Sequence, residues 1–162
     1  MLPKNISGVT MKKIIIALAI FLSSTLVPFG PFESKASAAI STSKANKVVS
    51  TGKKYVGTPY RYGGTTPKGF DCSGFVGYTY KKAAGKKLPR TSTSMYKQGK
   101  KIAKSKLKKG DLVFFNTSGK GVSHVAIYIG SNKVIHSVSK GVKIDSLSSS
   151  YWKKRYVGAK RI

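Results

Sequence analysis

The stretch Phe70-Asp71-Cys72-Ser73-Gly74-Phe75 contains the single cysteine of the chain. Apolar residues continue behind it at helical spacing, which predicts a helix from Cys72 to about Ala84 that ends at Gly85. A thiol at a helix N-terminus lies where the helix dipole favours the thiolate and where unpaired backbone N–H groups can hold an oxyanion. Cys72 is therefore a candidate nucleophile, with a buried structural cysteine as the alternative.

Two histidines follow the cysteine, and each lies in a strand-like apolar run. The runs predict strands at His124–Ile129 and Lys133–Val138, joined by a three-residue loop. In this register the two histidines are diagonal neighbours on one face of the hairpin, where their side chains can meet. The register pairs Ile129 with Lys133, Tyr128 with Val134, Ile127 with Ile135 and Ala126 with His136.

The opposite face of this hairpin decides between the possible registers. In the register above it carries an apolar stripe made of Val125, Ile127, Ile129 and Ile135. A two-residue turn would shift the pairing by one residue, place the histidines on opposite faces and scatter the apolar residues. The hydrophobic pattern therefore favours the arrangement that brings the imidazoles together.

One thiol and two neighbouring imidazoles are the parts of a nucleophile, its base and an orienting group. His124 is the candidate base, and His136 is expected to accept a hydrogen bond from Nδ1 of His124 and so fix its tautomer. Asp145 is a possible orienting residue, but it lies nine residues beyond His136. The three side chains also resemble a three-ligand zinc centre. No acidic residue lies near either histidine in the sequence and no paired-cysteine spacing occurs, so no metal site is predicted.

Helical patterns precede strand patterns along the chain, which favours an α+β fold over alternating βαβ units. Helices are predicted near 45–56, capped by Thr42 or Ser43, at 72–84 and around Met95, with a weak helix or turn at Leu147–Trp152. Strands are predicted at Leu112–Phe115, His124–Ile129, Lys133–Val138, Val142–Ile144 and Arg155–Ile162.

The N-terminal segment has the three parts of a secretory signal peptide. They are the basic pair Lys12-Lys13, an apolar run from Ile14 to Val27 and the small residues Ala36-Ser37-Ala38. The apolar run is short and interrupted, which argues against an uncleaved membrane anchor. Residues 1–38 are thus predicted as a signal peptide, residues 39–44 as a short polar leader and residues 45–162 as one domain of ordinary size.

The charge of the chain is strongly positive, with 31 basic and 4 acidic residues and a formal net charge of +27. Residues 1–38 hold four lysines and Glu33, so residues 39–162 keep 27 basic and 3 acidic residues and a net charge of +24. Such a field attracts polyanions. Export argues against nucleic acid and for the anionic polymers of a cell wall or membrane surface. The alternative is that the lysines only solubilise the surface.

Five motifs occur in order along residues 44–162. They are Pro59-Tyr60-Arg61-Tyr62-Gly63-Gly64, Phe70-Asp71-Cys72-Ser73-Gly74-Phe75-Val76, Lys109-Gly110-Asp111-Leu112-Val113-Phe114-Phe115, Ser123-His124-Val125-Ala126-Ile127-Tyr128-Ile129-Gly130 and Val134-Ile135-His136. Together they resemble the NlpC/P60 cell-wall endopeptidases, which are papain-like cysteine peptidases. The resemblance implies a circularly rearranged papain-like α+β fold, with N-terminal helices packed on a small antiparallel sheet. It also implies Cys72 as nucleophile, His124 as general base and His136 as third polar residue.

The resemblance extends to the substrate. It implies that Tyr60 lies near the nucleophile and that Asp71 and Ser73 help to hold the free amino end of the substrate. A helix N-cap is the alternative or additional role of Asp71. The implied reaction is hydrolysis of the γ-D-glutamyl bond to meso-diaminopimelate or lysine in peptidoglycan stem peptides, with no metal or organic cofactor.

The expected protein is a secreted, wall-associated monomer whose partners are peptidoglycan stem peptides and, through charge, anionic wall polymers. Nucleic acid binding and stable membrane insertion after signal cleavage are not expected. Two alternatives stay open at this point. One is an N-acetylmuramoyl-L-alanine amidase on the same fold, and the other is a non-catalytic cationic wall-binding protein.

Overall fold

The computed structural model describes residues 39–162. The predicted signal peptide, residues 1–38, lies outside the described residues. Within them the chain forms four α-helices, eight strands and a 3-10 turn at Lys104–Lys106. In chain order the helices and strands are α1 (Thr42–Lys53), β1 (Thr65–Thr66), β2 (Gly69–Phe70), α2 (Cys72–Ala84), α3 (Ser92–Tyr96), β3 (Lys100–Ile102), β4 (Leu112–Phe115), β5 (His124–Gly130), β6 (Lys133–Val138), β7 (Gly141–Ser146), α4 (Ser150–Arg155) and β8 (Tyr156–Arg161).

Six of the strands form one antiparallel sheet in the order β3-β8-β4-β5-β6-β7, and β1 pairs with β2 in a separate short hairpin. The two long helices come first and the sheet follows, so the predicted α+β class is confirmed. None of the helices within residues 39–162 has the length and apolar character needed to cross a bilayer.

The central strands β4, β5 and β6 are buried on both faces of the sheet. Successive side chains along a strand point to opposite sides, so each face packs against a different layer. Helices α1 and α2 cover one face, where the core includes Val48, Phe75, Phe114, Ile127 and Ile135. Helix α4 lies on the other face, where the core includes Val113, Phe115, Ala126, Trp152 and Ala159. The histidine-bearing face of β5 and β6 is the one that Trp152 covers.

Helix α2 has the predicted bounds, and both of its ends are capped. Asp71 is the N-cap and accepts a hydrogen bond from the backbone N–H of Gly74 at 2.7 Å. Gly85 is the C-cap, in the left-handed conformation that glycine adopts without steric cost. These caps fix Cys72 as the first residue of the helix.

Helix α1 begins earlier than predicted. Ser41 caps it, since its hydroxyl oxygen accepts a hydrogen bond from the backbone N–H of Lys44 at 3.3 Å. Thr42 and Ser43, the predicted caps, therefore lie inside the helix, and residues 42–44 are helical instead of forming a polar leader.

The hairpin of β5 and β6 differs from the prediction at its turn. The turn contains two residues, Ser131 and Asn132, with φ values of 49° and 56°, as a type I′ turn requires. Gly130 pairs with Lys133, so the predicted pairing of Ile129 with Lys133 is wrong.

A β-bulge next to this turn restores the rest of the predicted register. The pairing shifts between Tyr128 and Gly130, so one extra residue is inserted in β5. Beyond the shift, Tyr128 pairs with Val134 and Ile127 pairs with Ile135, as predicted. The extra residue compensates for the shorter turn, and the two histidines stay on one face.

Candidate active site

Cys72 is a free, partly exposed cysteine at the first position of α2. Helix α2 packs against β5, and the backbone N–H of Val125 in that strand is directed at the Cys72 sulfur. Burial raises the pKa of the Cys72 thiol, and the charge of Asp71 raises it further, while the backbone N–H groups of Val125 and Ser73 oppose this shift. The thiol is therefore protonated at neutral pH in the free protein, instead of being the thiolate that the helix position suggested.

The two histidines meet beside this strand. Nε2 of His124 lies 3.0 Å from Nδ1 of His136, within hydrogen-bond distance, and both side chains are buried. The predicted pairing of the imidazoles is therefore present, but it uses Nε2 of His124 instead of the expected Nδ1. Nδ1 of His124 is consequently left for a different role.

Asp145 extends the pair into a chain of three groups. Its Oδ2 accepts a hydrogen bond from Nε2 of His136 at 3.1 Å, and its Oδ1 lies 2.8 Å from Nζ of Lys143. Burial acts to raise the pKa of Asp145, but hydrogen bonds from Lys143, Trp152 and His136 outweigh it and hold that pKa below its usual value. Asp145 is therefore an ionised acceptor at neutral pH.

An ionised carboxylate fixes both tautomers, because it accepts hydrogen bonds and donates none. His136 must carry its proton on Nε2 to donate to Asp145, which leaves Nδ1 of His136 as an acceptor. His124 must then donate through Nε2, which leaves its own Nδ1 without a proton. The arrangement presents an unprotonated imidazole nitrogen, as a general base requires.

Both imidazoles are neutral at pH 7. Burial, with a smaller contribution from the charge of His136, lowers the pKa of His124 to about 3. Burial likewise lowers the pKa of His136 to about 4, against the opposing hydrogen bond and charge of Asp145. A proton taken up by His124 is thus released readily.

Trp152 of α4 confines the histidines from the side. Its ring stacks on His124, with 5.2 Å between ring centroids and 26° between ring planes, and it lies 4.7 Å from the ring of His136. Its Nε1 donates to Oδ2 of Asp145 at 3.0 Å. One side chain therefore restricts both imidazoles and orients the carboxylate.

Asp71 and Ser73 lie on the other side of the nucleophile and share one partner, Arg90. The Arg90 guanidinium donates to both carboxylate oxygens of Asp71, and its Nη1 also donates to Oγ of Ser73 at 2.9 Å. Burial acts to raise the pKa of Asp71, but the hydrogen bonds from Arg90 and Gly74 lower it overall. Asp71 is the N-cap of α2, which is one of the two roles expected for it. Its carboxylate is paired with Arg90.

Tyr60 lies in the loop before β1 and is bridged to Phe70. Burial raises the pKa of the Tyr60 phenol, and the charges of Cys72 and Asp71 raise it further. Its bridge partner Phe70 directly precedes Asp71 and Cys72 in the chain, and the closeness of the phenol to the thiol stays a prediction. Tyr60 is exposed.

Three residues of this site were not assigned from the sequence. Asp145 was only a possible orienting residue, yet the two-residue turn between β6 and β7 makes it a diagonal neighbour of His136, the relationship that identified the histidine pair. Arg90 is one of a few arginines among many lysines. Arginine, unlike lysine, can pair with a carboxylate through two parallel hydrogen bonds. Trp152 carried no such signal. Within residues 39–162, no three His, Cys, Asp or Glu side chains are grouped so that they could hold a metal ion.

The NlpC/P60 family model matches residues 57–161. The probable peptidoglycan endopeptidase LytE of Bacillus subtilis is 53% identical over 117 residues, which are 72% of this chain and 34% of that protein. The murein DD-endopeptidase MepH of Escherichia coli is 48% identical over 66% of this chain and 42% of its own length. The gamma-DL-glutamyl hydrolase of Bacillus subtilis is 49% identical over 74% of this chain and 29% of its own length. The chain thus spans less than half of these curated relatives.

A solved structure of an NlpC/P60 family protein from Bacillus cereus is similar in fold. It aligns with a TM-score of 0.69 and 40% sequence identity, over 76% of this chain and 41% of the other. The helices and the antiparallel sheet described above therefore form the papain-like α+β fold that the sequence motifs implied.

Proposed function

Because the chain belongs to the NlpC/P60 family, we propose that it is a peptidoglycan hydrolase, a cysteine endopeptidase that cuts the γ-D-glutamyl bond to diaminopimelate or lysine in stem peptides. The observation that carries the proposal is the hydrogen-bond chain from Asp145 through His136 to His124, on the strand that contacts Cys72. Relatives named as a peptidoglycan endopeptidase and as a gamma-DL-glutamyl hydrolase support the choice of bond.

The reaction begins with the neutral thiol and the neutral imidazole. As the Cys72 sulfur attacks the γ-glutamyl carbonyl carbon, Nδ1 of His124 accepts the thiol proton and the carbonyl oxygen becomes an oxyanion. The backbone N–H groups of Cys72 and Ser73, which face the sulfur at the start of α2, stabilise that oxyanion. The Asp145 carboxylate stabilises the imidazolium that forms, since its charge raises the pKa of both histidines, and Nδ1 of His136 accepts a hydrogen bond from that imidazolium.

Collapse of the tetrahedral intermediate breaks the C–N bond, and His124 gives its proton to the departing amine. This leaves a thioester on Cys72. His124 then takes a proton from water, the resulting hydroxide attacks the thioester carbonyl, and the carboxylic acid leaves as the sulfur recovers its proton. Tyr60, Asp71 and Ser73 form the substrate-binding part of this proposal.

The partners in this proposal are stem peptides and, through the +24 charge of residues 39–162, anionic wall polymers. The predicted export signal makes the protein a secreted, wall-associated enzyme, and we propose that it acts as a monomer.

Digestion of purified muropeptides followed by mass spectrometry tests the function. A new D-glutamate terminus supports the proposed bond. Release of L-alanine from the lactyl group identifies an amidase instead, a cut in the D,D cross-link is the outcome that the name of MepH suggests, and no cleavage identifies a binding protein. Cys72→Ala should abolish cleavage and leave the circular dichroism spectrum unchanged, because the thiol is the nucleophile and alanine is accepted at a helix start.

A further inference from the structure

We propose that residues 97–109, which we term the cationic edge, are the docking surface for a linear polyphosphodiester of the cell wall. This inference rests on the proposed function, which names anionic wall polymers as partners but gives them no place on the molecule. The cationic edge contains no acidic residue and seven lysines, which are Lys97, Lys100, Lys101, Lys104, Lys106, Lys108 and Lys109. All seven are exposed.

The cationic edge follows one border of the six-stranded sheet. It begins at the C-cap of α3, continues as the outermost strand β3 and then passes through the 3-10 turn toward β4. Strands β8 and β4 separate β3 from β5, which carries His124. At about 4.8 Å per strand, β3 lies about 14 Å from β5. A polymer bound along β3 therefore does not cover the histidine pair.

The lysines of the cationic edge have no acidic partner within the described chain. Residues 39–162 contain three acidic side chains. Each of them is paired with a cation outside the cationic edge, Asp71 with Arg90, Asp111 with Arg161 and Asp145 with Lys143. The counter-charge of the cationic edge must therefore come from outside this part of the chain.

The register of β3 places like charges directly opposite each other. Lys101 pairs with Lys160, and Lys100 pairs with Arg161, across the ladder of β3 and β8. Like charges at such positions destabilise a sheet, because their Cβ atoms lie only about 4.5–5.5 Å apart. Arg161 is neutralised by Asp111, whereas Lys101 and Lys160 form no ion pair within residues 39–162. A bound polyanion would remove the repulsion between these two lysines.

The side chains of the cationic edge favour a phosphodiester chain over a carboxylate polymer or a bilayer. The carboxylates of Asp71 and Asp111 are bound by arginine through two nitrogen atoms, whereas the cations of this edge are all lysine. The lysine ammonium is a point charge that binds phosphate. None of the exposed large apolar side chains of residues 39–162 lies within the cationic edge, so it has no group to insert into a membrane.

Binding of an end-labelled, soluble poly(glycerol phosphate) chain to the purified protein tests the inference, with fluorescence anisotropy as the measurement. Lys100→Gln/Lys101→Gln removes two charges from β3 and should weaken binding at least about tenfold at about 50 mM NaCl. It should also reduce the steepness of log K against log salt by about 1.4, the amount expected for two phosphate contacts of a flexible polyanion.

The matched control is Lys53→Gln/Lys54→Gln, which removes two exposed charges at the end of α1. This variant has the same net charge as the β3 variant but keeps the cationic edge. Its affinity for the polymer and its salt dependence should therefore stay close to those of the wild-type protein.

The β3 variant should also be more stable than the wild-type protein. Loss of the like-charge contact between Lys101 and Lys160 should raise the melting temperature by about 1–5 °C at low salt. Weaker binding by a more stable protein cannot result from damage to the fold. Cleavage of a soluble stem peptide should be unchanged, because β3 lies away from Cys72 and His124.

The outcomes separate this docking surface from its alternatives. If the β3 variant binds the polymer as tightly as the wild type, or no more weakly than the control variant, the inference is overturned. The lysines then only protect an edge strand from pairing with other chains. Tighter binding to phosphatidylglycerol vesicles than to the polymer, with the same dependence on Lys100 and Lys101, overturns it in favour of a membrane partner.

Binding and catalysis are measured separately, so the inference and the proposed function can fail independently. A protein that cleaves stem peptides but does not bind the polymer keeps the proposed activity and loses the docking surface. A protein that binds the polymer through the cationic edge but cleaves nothing keeps the docking surface and loses the proposed activity.

Discussion

Asp145 and His136 lie on neighbouring strands as diagonal neighbours, with Oδ2 of the carboxylate 3.1 Å from Nε2 of the imidazole. The contact is buried on the imidazole side, since His136 has no exposed surface. It is the end of the chain of groups that sets which nitrogen of His124 carries a proton. A carboxylate that never touches the substrate thereby determines the state of the base.

Asp145→Ala should lower kcat by roughly 10–100-fold, the range seen when an outer partner of a functional histidine is removed, with little change in KM. The loss arises because His136 is no longer held in one tautomer. Lys143→Gln is the matched control, since it removes a different partner of Asp145 and leaves the bonds of the carboxylate to His136 and Trp152. Steady-state kinetics on a stem peptide measure both variants, and an Asp145→Ala enzyme with unchanged kcat would contradict this role.

The order of helices and strands followed from the sequence because hydrophobic periodicity and capping residues act locally. Helix α2 has the bounds that Cys72 and Gly85 suggested, and β4 and β6 have the predicted ends. Strands β1, β2 and β3 were missed because segments of two or three residues show no alternation. They exist only because a partner strand pairs with them.

The part of the site that could be predicted is the part formed by side chains on two paired strands, because strand register determines which of them are neighbours. The pairing of His124 with His136 followed from hydrophobic register, although the turn was one residue shorter than expected and a bulge compensated for it. The Arg90–Asp71 pair joins residues 19 positions apart through the loop before α3, and the contact of Trp152 with His124 depends on where α4 packs. Neither contact follows from a repeat along the chain.

The pH dependence of the reaction should be that of an enzyme whose two histidines stay neutral well below pH 6.5. The pKa of His124 is lowered to about 3 and that of His136 to about 4, so the base is protonated, and activity lost, only as the pH falls well below the ordinary histidine value of about 6.5. We expect kcat/KM to stay level between pH 7 and pH 5. A stem peptide amidated at its α-carboxyl group removes substrate titration from this range.

Folding must be followed in the same pH series. Unfolded histidines bind protons near pH 6.5 and the folded ones do not until pH 3 to 4, so the unfolded state binds more protons in between and the free energy of unfolding falls as the pH falls. A rate that drops near pH 6.5 while the protein stays folded would show that the base titrates with an ordinary histidine pKa, and would contradict this prediction.

Salt should release the protein from wall material. Attraction between exposed lysines and anionic polymers is screened over about 8 Å at physiological ionic strength and over about 3 Å at 1 M salt. Sedimentation with purified cell walls should therefore show retention that falls steeply as sodium chloride is raised. Walls from which the anionic polymers have been removed are the control. Retention that changes neither with salt nor with removal of these polymers would rule out attachment by charge.

Gly74 and Gly77 lie one turn apart on α2 and should respond oppositely to alanine. A Cβ on Gly74 would lie 2.0 Å from the carbonyl oxygen of Gly64, a backbone atom, whereas a Cβ on Gly77 would meet only Cε of Met95 at 3.9 Å. Gly74→Ala must push away the loop that precedes the nucleophile, so we expect a loss of at least about 1–3 kcal/mol in the free energy of unfolding. Gly77→Ala should gain up to about 1 kcal/mol from helix propensity. Urea denaturation of both variants measures the difference in the free energy of unfolding. Equal values would show that the loop at Gly64 can move away from the added methyl group without loss of stability.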